Sequence, residues 1–327
     1  MSSIINKVAV VGLGNIATRH RRNLKQLFPM ATLYAMSASG RAPSELVSDC
    51  DQLVSSIDEL ISQQVALVIV ASPAPFHAEH AIPLIEAGIP VLLEKPVTTT
   101  LEDVNKIQRA MTKYQTPVAI GYCLRYIPSA QKLQALLANH KVGVLYNAHI
   151  EVGQYLPDWR PSKNYLDTVS ANKHLGGGAL YELSHELDYA QWLFGPLTLQ
   201  HAILRSTSEL GLNVEDIADI VTVNSSNMVA NIHLDFLQRK ANRKCSVIGS
   251  EGRIDWDLIG NQLLFTTKEG TRVLYHEPEW DKNQMYLAMI KDFVHMIQGK
   301  ANACISLDEA KSTINLINEI KCHAYCL

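Results

Sequence analysis

Two residues stand where acid–base chemistry at a carbon–oxygen bond could take place. Lys95 follows a short apolar strand pattern, Val91–Leu93, and His185 follows a glycine triplet at 176–178. A lysine at a strand end would place positive charge beside an alkoxide or carbonyl oxygen. The unperturbed pKa of histidine, about 6.5, suits a general acid/base near neutral pH. We predict that both residues are catalytic; a surface lysine and a structural helix histidine are the alternatives.

Acidic residues flank the histidine on both sides. Glu182 lies three residues before His185 and Asp188 three residues after it. Spacings of three or four put side chains on one face of a helix. Asp188 is therefore predicted to orient the imidazole, with an exposed or capping role as the alternative.

A glycine-rich turn near the N-terminus predicts a dinucleotide site. The apolar run Val8–Val11 is typical of a strand buried on both faces, and the letters GLGNIA at 12–17 follow it. In a G-x-G-x-x-A turn the first glycine permits the tight turn. The second lets the backbone approach a pyrophosphate at the N-terminus of the next helix. An ordinary strand–turn–helix is the alternative. The residues predicted to bind the cofactor here are Gly12, Gly14, Asn15 and Ile16.

The end of the next strand bears on the choice of dinucleotide. The strand Thr32–Met36 is followed by Ser37 and, four residues later, by Arg41. Binders of NAD usually carry an acid at this strand end, whereas a nearby arginine accommodates a 2′-phosphate. Ser37 and Arg41 are therefore predicted to favour NADP, with NAD as the alternative cofactor; a merely flexible turn is also open.

Further strand ends supply further candidate contacts. The strand pattern Val65–Ala71 runs into a turn and then a helix over His77–Ala87. Ligands of doubly wound sheets bind at the carboxyl ends of the strands. The additional residues predicted to bind the cofactor are Ser72, Pro73, His77, Glu94 and Lys95.

The elements that must position these residues fall into two predicted domains. Strands alternate with helices over 1–121, which predicts an α/β, doubly wound parallel Rossmann sheet. From residue 122 to 327 strand patterns dominate, and several alternate apolar with polar residues. They predict an α+β domain with a large, mainly antiparallel open sheet for substrate binding and oligomerisation. Helices over 176–194 and 284–298 are expected to pack on that sheet, and a further helix over 307–321 has capping-box spacing.

Together these motifs resemble the Gfo/Idh/MocA oxidoreductase family. The letters EKP at 94–96 occur on a chain that opens with the glycine turn, and the glycine triplet precedes His185 and Asp188. The segments 118–126 and 249–252 extend the resemblance over nearly the whole chain. It implies hydride transfer with NAD or NADP, with Lys95 and His185 acting at the substrate carbon, and a homodimer or homotetramer.

The resemblance also implies substrate contacts. An acid four residues before the histidine is usual in the family, whereas here Tyr181 has that position and Glu182 follows it. Glu182 is predicted as catalytic and Tyr181 as substrate-binding, and either could take the role of the usual acid. Aromatic and arginine side chains suit a sugar ring and an anionic group, although a packed loop is an equal alternative. The other residues predicted to meet the substrate are Tyr122, Arg125, Trp159 and Arg160.

Charge and composition exclude several classes. The formal net charge is −3, and the basic cluster at 19–25 is expected on the exposed face of the first helix, so nucleic-acid and membrane partners are not predicted. No apolar stretch reaches the ~18–20 residues of a membrane span. The cysteines are scattered without zinc spacing, which predicts reduced thiols, no metal site and a cytoplasmic location.

Three functions remain in view. The leading hypothesis is an NAD(P)-dependent oxidoreductase acting on a sugar, polyol or nucleotide sugar. The second is an epimerase or glycosidase-like enzyme whose tightly bound cofactor is oxidised and re-reduced within one cycle. The third is a regulator that binds a dinucleotide without chemistry.

Overall fold

The computed structural model describes residues 5–43 and 47–327. Contacts between Cα atoms divide the chain into two compact units. The first contains residues 1–123 and 283–314, and the second contains residues 124–282 and 315–327. The sequence-based division at residue 121 assigns 283–314 to the second domain, whereas the contacts group that segment with the first unit.

Six parallel strands form the sheet of the first unit. In chain order they are β1 (Lys7–Val11), β2 (Thr32–Met36), β3 (Gln52–Val54), β4 (Leu67–Val70), β5 (Val91–Leu93) and β6 (Val118–Ile120). Their order across the sheet is β3-β2-β1-β4-β5-β6, and every pairing is parallel. The predicted doubly wound sheet is therefore confirmed. Its strand order reverses between β1 and β4, the place where such sheets bind ligands.

Helices connect these strands and cover the sheet. They are α1 (Asn15–Leu27), α2 (Ile57–Ser62), α3 (His77–Glu86) and α4 (Leu101–Tyr114). The side chains of Ser56 and Thr100 cap α2 and α4 by accepting hydrogen bonds from backbone N–H groups of their first turns. The cap of α1 is Gly14, which has no side chain to offer.

A mixed sheet of nine strands forms the second unit. Its strands are β7 (Leu145–Gly153), β8 (Leu197–Arg205), β9 (Ile217–Asn224), β10 (Val229–Asp235), β11 (Asn242–Gly249), β12 (Gly252–Asp257), β13 (Gln262–Thr267), β14 (Gly270–His276) and β15 (Tyr325–Cys326). The order is β14-β13-β12-β11-β7-β10-β9-β8-β15, and only the β7–β10 and β8–β15 pairings among these strands are parallel. The predicted mainly antiparallel sheet is confirmed. Along β10 buried residues alternate with half-exposed ones, so one face of the sheet is packed and the other is open.

The remaining helices are α5 (Pro128–Ala138), α6 (Ala179–Glu182), α7 (His185–Phe194), α8 (Gln284–Ile297) and α9 (Leu307–His323). The predicted capping box of α9 is confirmed, because Ser306 Oγ accepts from the N–H of Glu309 and the Ser306 N–H donates to the Glu309 carboxylate. Among the described residues no helix is long and apolar enough to cross a membrane.

The prediction that α8 packs on the second sheet is wrong. This helix belongs to the first unit, where Asn283 at its start exchanges hydrogen bonds with Asn23 of α1. The ring of Tyr286 also lies edge-on to His20, with 5.9 Å between ring centres. An amphipathic pattern shows that a helix has a buried face but does not identify the neighbour that covers it.

The prediction that the basic cluster of α1 is exposed is wrong for two of its members. His20 is fully buried and Arg21 is 2% exposed, whereas Arg22 remains exposed. The Arg21 guanidinium donates to the carbonyl of Ser48 and to Thr18 Oγ1. Burial is tolerated because these groups have polar partners, which the charge pattern alone cannot reveal.

Candidate active site

The glycine turn of the first unit admits no side chain at its first position. Gly12 has φ +114°, and its N–H donates to the carbonyl of Met36 at 2.8 Å. A Cβ atom at Gly12 would lie 2.5 Å from the carbonyl oxygen of Ala71. The turn therefore brings the ends of β1, β2 and β4 together at the point where the strand order reverses.

The second glycine opens onto the start of α1. Gly14 is exposed, with nothing within 4 Å of a Cβ built there, and the helix begins at Asn15. Asn15 is exposed and Ile16 half-buried. The first N–H groups of a helix have no intrahelical partner and attract anions. A pyrophosphate fits this cradle, because its backbone is accessible and no side chain caps the helix.

The segment after β2 carries the residues predicted to choose the dinucleotide. Ser37 is half-buried, and its hydroxyl lies 3.2 Å from that of Ser39. Arg41 is exposed. Neither carboxylate nor aromatic side chain intervenes between Met36 and Arg41, so this strand end can present hydroxyls and a guanidinium to a ligand.

His77 ties together two of the loops at the carboxyl ends of the strands. Its Nε2 lies 2.7 Å from the Ser72 carbonyl and its Nδ1 lies 3.1 Å from the Val97 carbonyl. Burial lowers the pKa of His77, partly offset by these contacts. Ser72 and Pro73, also predicted to bind the cofactor, lie in the loop after β4. The Ser72 hydroxyl contacts Nδ1 of His80 at 2.9 Å, and Pro73 is half-buried. His77 therefore holds the loop after β4 against the segment after Lys95.

The Glu94–Lys95 turn at the end of β5 is anchored through its carboxylate. Glu94 Oε1 lies 2.6 Å from Nε2 of His20, and Oε2 accepts from the Lys95 N–H at 3.1 Å. Burial alone would raise the pKa of Glu94, but His20 and Lys95 outweigh it and hold that pKa below its ordinary value. Lys95 is half-buried and precedes a cis bond to Pro96. Sequence reasoning missed His20, whose only signal was a histidine inside the helix of the glycine turn.

Tyr122, one of the predicted substrate contacts, is fully buried in the first unit. A ligand could reach its side chain only if neighbouring groups moved. Its predicted role stays a prediction, and its burial gives it at least a packing role at the end of β6.

In the second unit a glycine turn and a helix break precede His185. The helical segment predicted over 176–194 starts with this turn and is interrupted before His185. Gly176 and Gly178 have positive φ, and the helical segments α6 and α7 are separated by Leu183 and Ser184. A Cβ atom at Gly177 would lie 2.4 Å from the carbonyl oxygen of Val169, so the triplet packs too closely against that segment to admit a side chain there.

This break separates residues that the sequence placed on one helix face. Tyr181 and Glu182 lie on α6, whereas His185 begins α7 and is 9% exposed. Glu182 accepts a hydrogen bond from Ser170 Oγ at 2.9 Å. Burial, together with Glu215, raises the pKa of Tyr181 to about 12, so its hydroxyl stays protonated at neutral pH.

Two arginines hold the acids of α7. Arg125 donates from Nε and Nη2 to the two oxygens of Asp188 at 2.9 and 2.7 Å. Arg243 of β11 grips the fully buried Glu186 in the same bidentate way at 2.7 and 2.9 Å. Arg125 was predicted to contact the substrate and Asp188 to orient the imidazole of His185. In the structure these two side chains pair with each other. The pair of Glu186 and Arg243 was missed, because nothing in the sequence relates residues so far apart.

The loop predicted to bind substrate packs near α6. The Trp159 indole N–H donates to the Gln154 carbonyl, and its ring lies edge-on to Phe236 at 5.3 Å. Trp159 and Arg160 border one narrow packing gap together with Ser170, the residue that donates to Glu182. The structure therefore places this loop and the start of the α6–α7 segment in one network.

Comparison with known proteins agrees with this architecture. Residues 6–122 match the NAD-binding Rossmann-fold domain of the GFO/IDH/MocA oxidoreductase family, and residues 130–255 match the C-terminal domain of that family. A Synechocystis protein described as an uncharacterized oxidoreductase is 31% identical over 58% of this chain and 51% of its own length. The chain thus spans about half of that relative.

Two further likenesses cover nearly the whole chain. The myo-inositol 2-dehydrogenase of Thermotoga maritima is 24% identical over 95% of this chain and 93% of its own length. A solved levoglucosan dehydrogenase, in complex with NADH and levoglucosan, superposes with a TM-score of 0.83 at 18% identity over 97% of this chain and 96% of that one. At that identity the superposition shows a shared fold.

Proposed function

This chain belongs to the GFO/IDH/MocA family of oxidoreductases, and on that premise we propose that it transfers a hydride between NAD(P) and a carbon of a sugar-like substrate. The proposed substrate is a sugar, polyol or nucleotide sugar bearing a secondary alcohol or the matching ketone. The names of the relatives support this class, since myo-inositol and levoglucosan are both polyhydroxylated rings.

The dinucleotide is proposed to lie along the carboxyl ends of the first sheet, and when bound it supplies the hydride acceptor or donor. Gly12 and Gly14 let its pyrophosphate approach the start of α1, where Asn15 and Ile16 offer backbone N–H groups. Ser37 and Arg41 favour the 2′-phosphate of NADP over NAD. The remaining proposed contacts are Ser72, Pro73, His77 and Glu94.

His185 is proposed as the general acid/base. At the first position of α7 its backbone is fixed by the preceding glycine turn and by the anchored acids of the same helix. An imidazole there can take the hydroxyl proton during oxidation and return it during reduction. Lys95 is proposed to stabilise negative charge on a substrate oxygen through its ammonium group.

The other predicted residues take supporting roles in this proposal. Asp188 holds Arg125 and thereby fixes the first turn of α7. Glu182 or Tyr181 hydrogen-bonds a second hydroxyl of the substrate, and Trp159 with Arg160 covers the ring.

The observation that carries the proposal is the glycine turn at the reversal of strand order, where a Cβ at Gly12 would meet the Ala71 carbonyl. Its test is a panel of free and nucleotide-linked sugars and polyols, incubated with NAD or NADP while the absorbance of the reduced nicotinamide is followed. We expect reduced cofactor to accumulate with at least one substrate, more efficiently with NADP. Tight dinucleotide binding without turnover of any panel member would contradict it.

We further propose a cytoplasmic homodimer or homotetramer assembled through the open face of the nine-stranded sheet. The half-exposed residues of β9 and β10 support this, because an open face that carries valines among polar side chains is typical of an interface. Sedimentation equilibrium tests the proposal, and a monomer at micromolar concentration would contradict it.

A further inference from the structure

A buried pair joins helix α1 to the turn that carries Lys95. His20 is fully buried, and its Nε2 lies 2.6 Å from Oε1 of Glu94, which is 6% exposed. The other carboxylate oxygen accepts from the backbone N–H of Lys95 at 3.1 Å. Both oxygens of Glu94 are therefore engaged within the first unit.

Neighbouring groups leave the Glu94 carboxylate little room to move. A Cβ atom at Gly121 would lie 3.2 Å from the Cα, Cδ and Oε1 atoms of Glu94. On the other side the ring of Tyr286 packs edge-on against the imidazole of His20. The carboxylate is thus confined between the end of β6 and the helices α1 and α8.

The pair bears on Lys95 because Glu94 is the residue directly before it. A buried carboxylate that lost its imidazole partner would have to turn toward water or take up a proton. Either change would weaken the hydrogen bond that Glu94 makes to the Lys95 N–H. The backbone that aims the lysine would then lose a restraint.

We infer that His20 is a positioning residue for hydride transfer: from the helix of the glycine turn it holds Glu94, and Glu94 in turn fixes the backbone of Lys95. The inference rests on the proposed function and adds a residue to it. It also gives Glu94, proposed above as a dinucleotide contact, a positioning role toward Lys95. Helix α1 then has two roles. Its first turn is the proposed pyrophosphate site, and His20 in its second turn holds the backbone of Lys95 through Glu94.

The test compares His20→Leu and His20→Gln with the wild-type protein. Leucine fills similar space without a donor, whereas the glutamine amide can still donate to Glu94. With the best substrate of the panel we expect kcat to fall about 10- to 100-fold in H20L, because small misplacements of a catalytic group cost rate steeply. The Kd for NADPH, followed by its fluorescence, should stay within about 3-fold, and H20Q should recover most of kcat.

Asn23→Leu is the matched control. Asn23 is a buried polar residue of the same helix that pairs with Asn283 instead of Glu94. N23L breaks a buried polar pair on α1 and should lower thermal stability, yet leave kcat close to that of the wild type. Equal loss of kcat in N23L and H20L would overturn the inference, as would equal loss in H20L and H20Q.

A second readout needs no turnover. Hydrogen exchange, measured by mass spectrometry on the cofactor-free protein, should be faster in a peptide covering 91–98 in H20L, and restored in H20Q. If the wild type turns over no substrate, the proposed function fails while this readout still decides the anchoring of the turn. If H20L does not fold, Glu94→Gln and the double variant H20Q/E94Q replace it. Additive losses of kcat, or of exchange protection, in that double variant would overturn the inference, because a relay through Glu94 requires non-additivity.

Discussion

The two units build their candidate catalytic elements from different materials. In the first unit backbone geometry dominates, with positive φ at Gly12, an uncapped helix start at Gly14 and a carboxylate bound to the Lys95 N–H. In the second unit bidentate ion pairs, such as that of Arg125 with Asp188, hold the helix that begins at His185. A backbone cradle suits a ligand common to many enzymes, whereas side-chain pairs can fix a helix while the surrounding loops vary.

Breaking an ion pair of α7 should have the largest effect on stability. Asp188→Ala leaves the guanidinium of Arg125, 9% exposed, without its carboxylate. We expect the free energy of unfolding to fall by about 3–5 kcal/mol, measured by urea denaturation.

The double variant Arg125→Met/Asp188→Leu removes both charges and should regain part of that loss. If Asp188→Ala were as stable as the wild type, the stability of the second unit would not depend on this ion pair. The proposed difference between the two units would then be wrong.

The glycine turn offers a matched test in the first unit. Gly12→Ala forces a Cβ to 2.5 Å from the Ala71 carbonyl at positive φ, so it should cost about 2 kcal/mol and weaken dinucleotide binding. Gly14→Ala meets no atom within 4 Å and should leave thermal stability almost unchanged while still weakening binding, since its methyl group would face the proposed pyrophosphate site.

Thermal unfolding and dinucleotide titration separate the two outcomes. Unaltered affinity in both variants would show that this turn does not receive the dinucleotide.

The charge of Arg41 is expected to set the preference of the dinucleotide site for NADP over NAD. Arg41→Ser removes the guanidinium proposed to favour a 2′-phosphate, so the Kd for NADPH should rise about 10-fold. The Kd for NADH should change by less than about 2-fold, because NADH lacks that phosphate. Fluorescence titration with both dinucleotides gives the ratio, and a parallel loss for both would remove Arg41 from the 2′ position.

A smaller effect concerns the dependence of the second unit on pH. His233 on β10 lies between two carboxylates, with Nδ1 2.6 Å from Asp219 and Nε2 3.0 Å from Asp235. Hydrogen bonds to Asp235 and Asp219 raise the pKa of His233 from 6.5 to about 9. The protonated form is the paired one, so its contribution is complete below pH 6.5 and is lost as pH rises through about 9.

Because the His233 side chain is 35% exposed, solvent screening limits this contribution to about 1 kcal/mol. The free energy of unfolding, measured between pH 6 and 10, should therefore decline in the wild type by an amount that is absent in His233→Gln. Identical pH profiles would show that the carboxylates do not hold the imidazole.

The same contrast explains what the sequence could predict. Turns and strands depend on residues close together in the sequence. The glycine turn, the strand Thr32–Met36 and the two kinds of sheet could therefore be predicted from local patterns. Partners distant along the chain leave none: His20 lies 74 residues from Glu94, and Arg125 lies 63 from Asp188.

The break between α6 and α7 was missed for a related reason. The residues after the glycine triplet have helical composition, and no local pattern marks the interruption at Leu183 and Ser184. Tertiary contacts override local preference there.

The most direct test of the proposed chemistry is turnover by Lys95→Ala and His185→Ala, measured beside their affinity for the dinucleotide. We predict that each substitution lowers kcat by about 100- to 10,000-fold while the Kd for NADPH stays within about 3-fold. Either variant turning over at the wild-type rate would contradict the account.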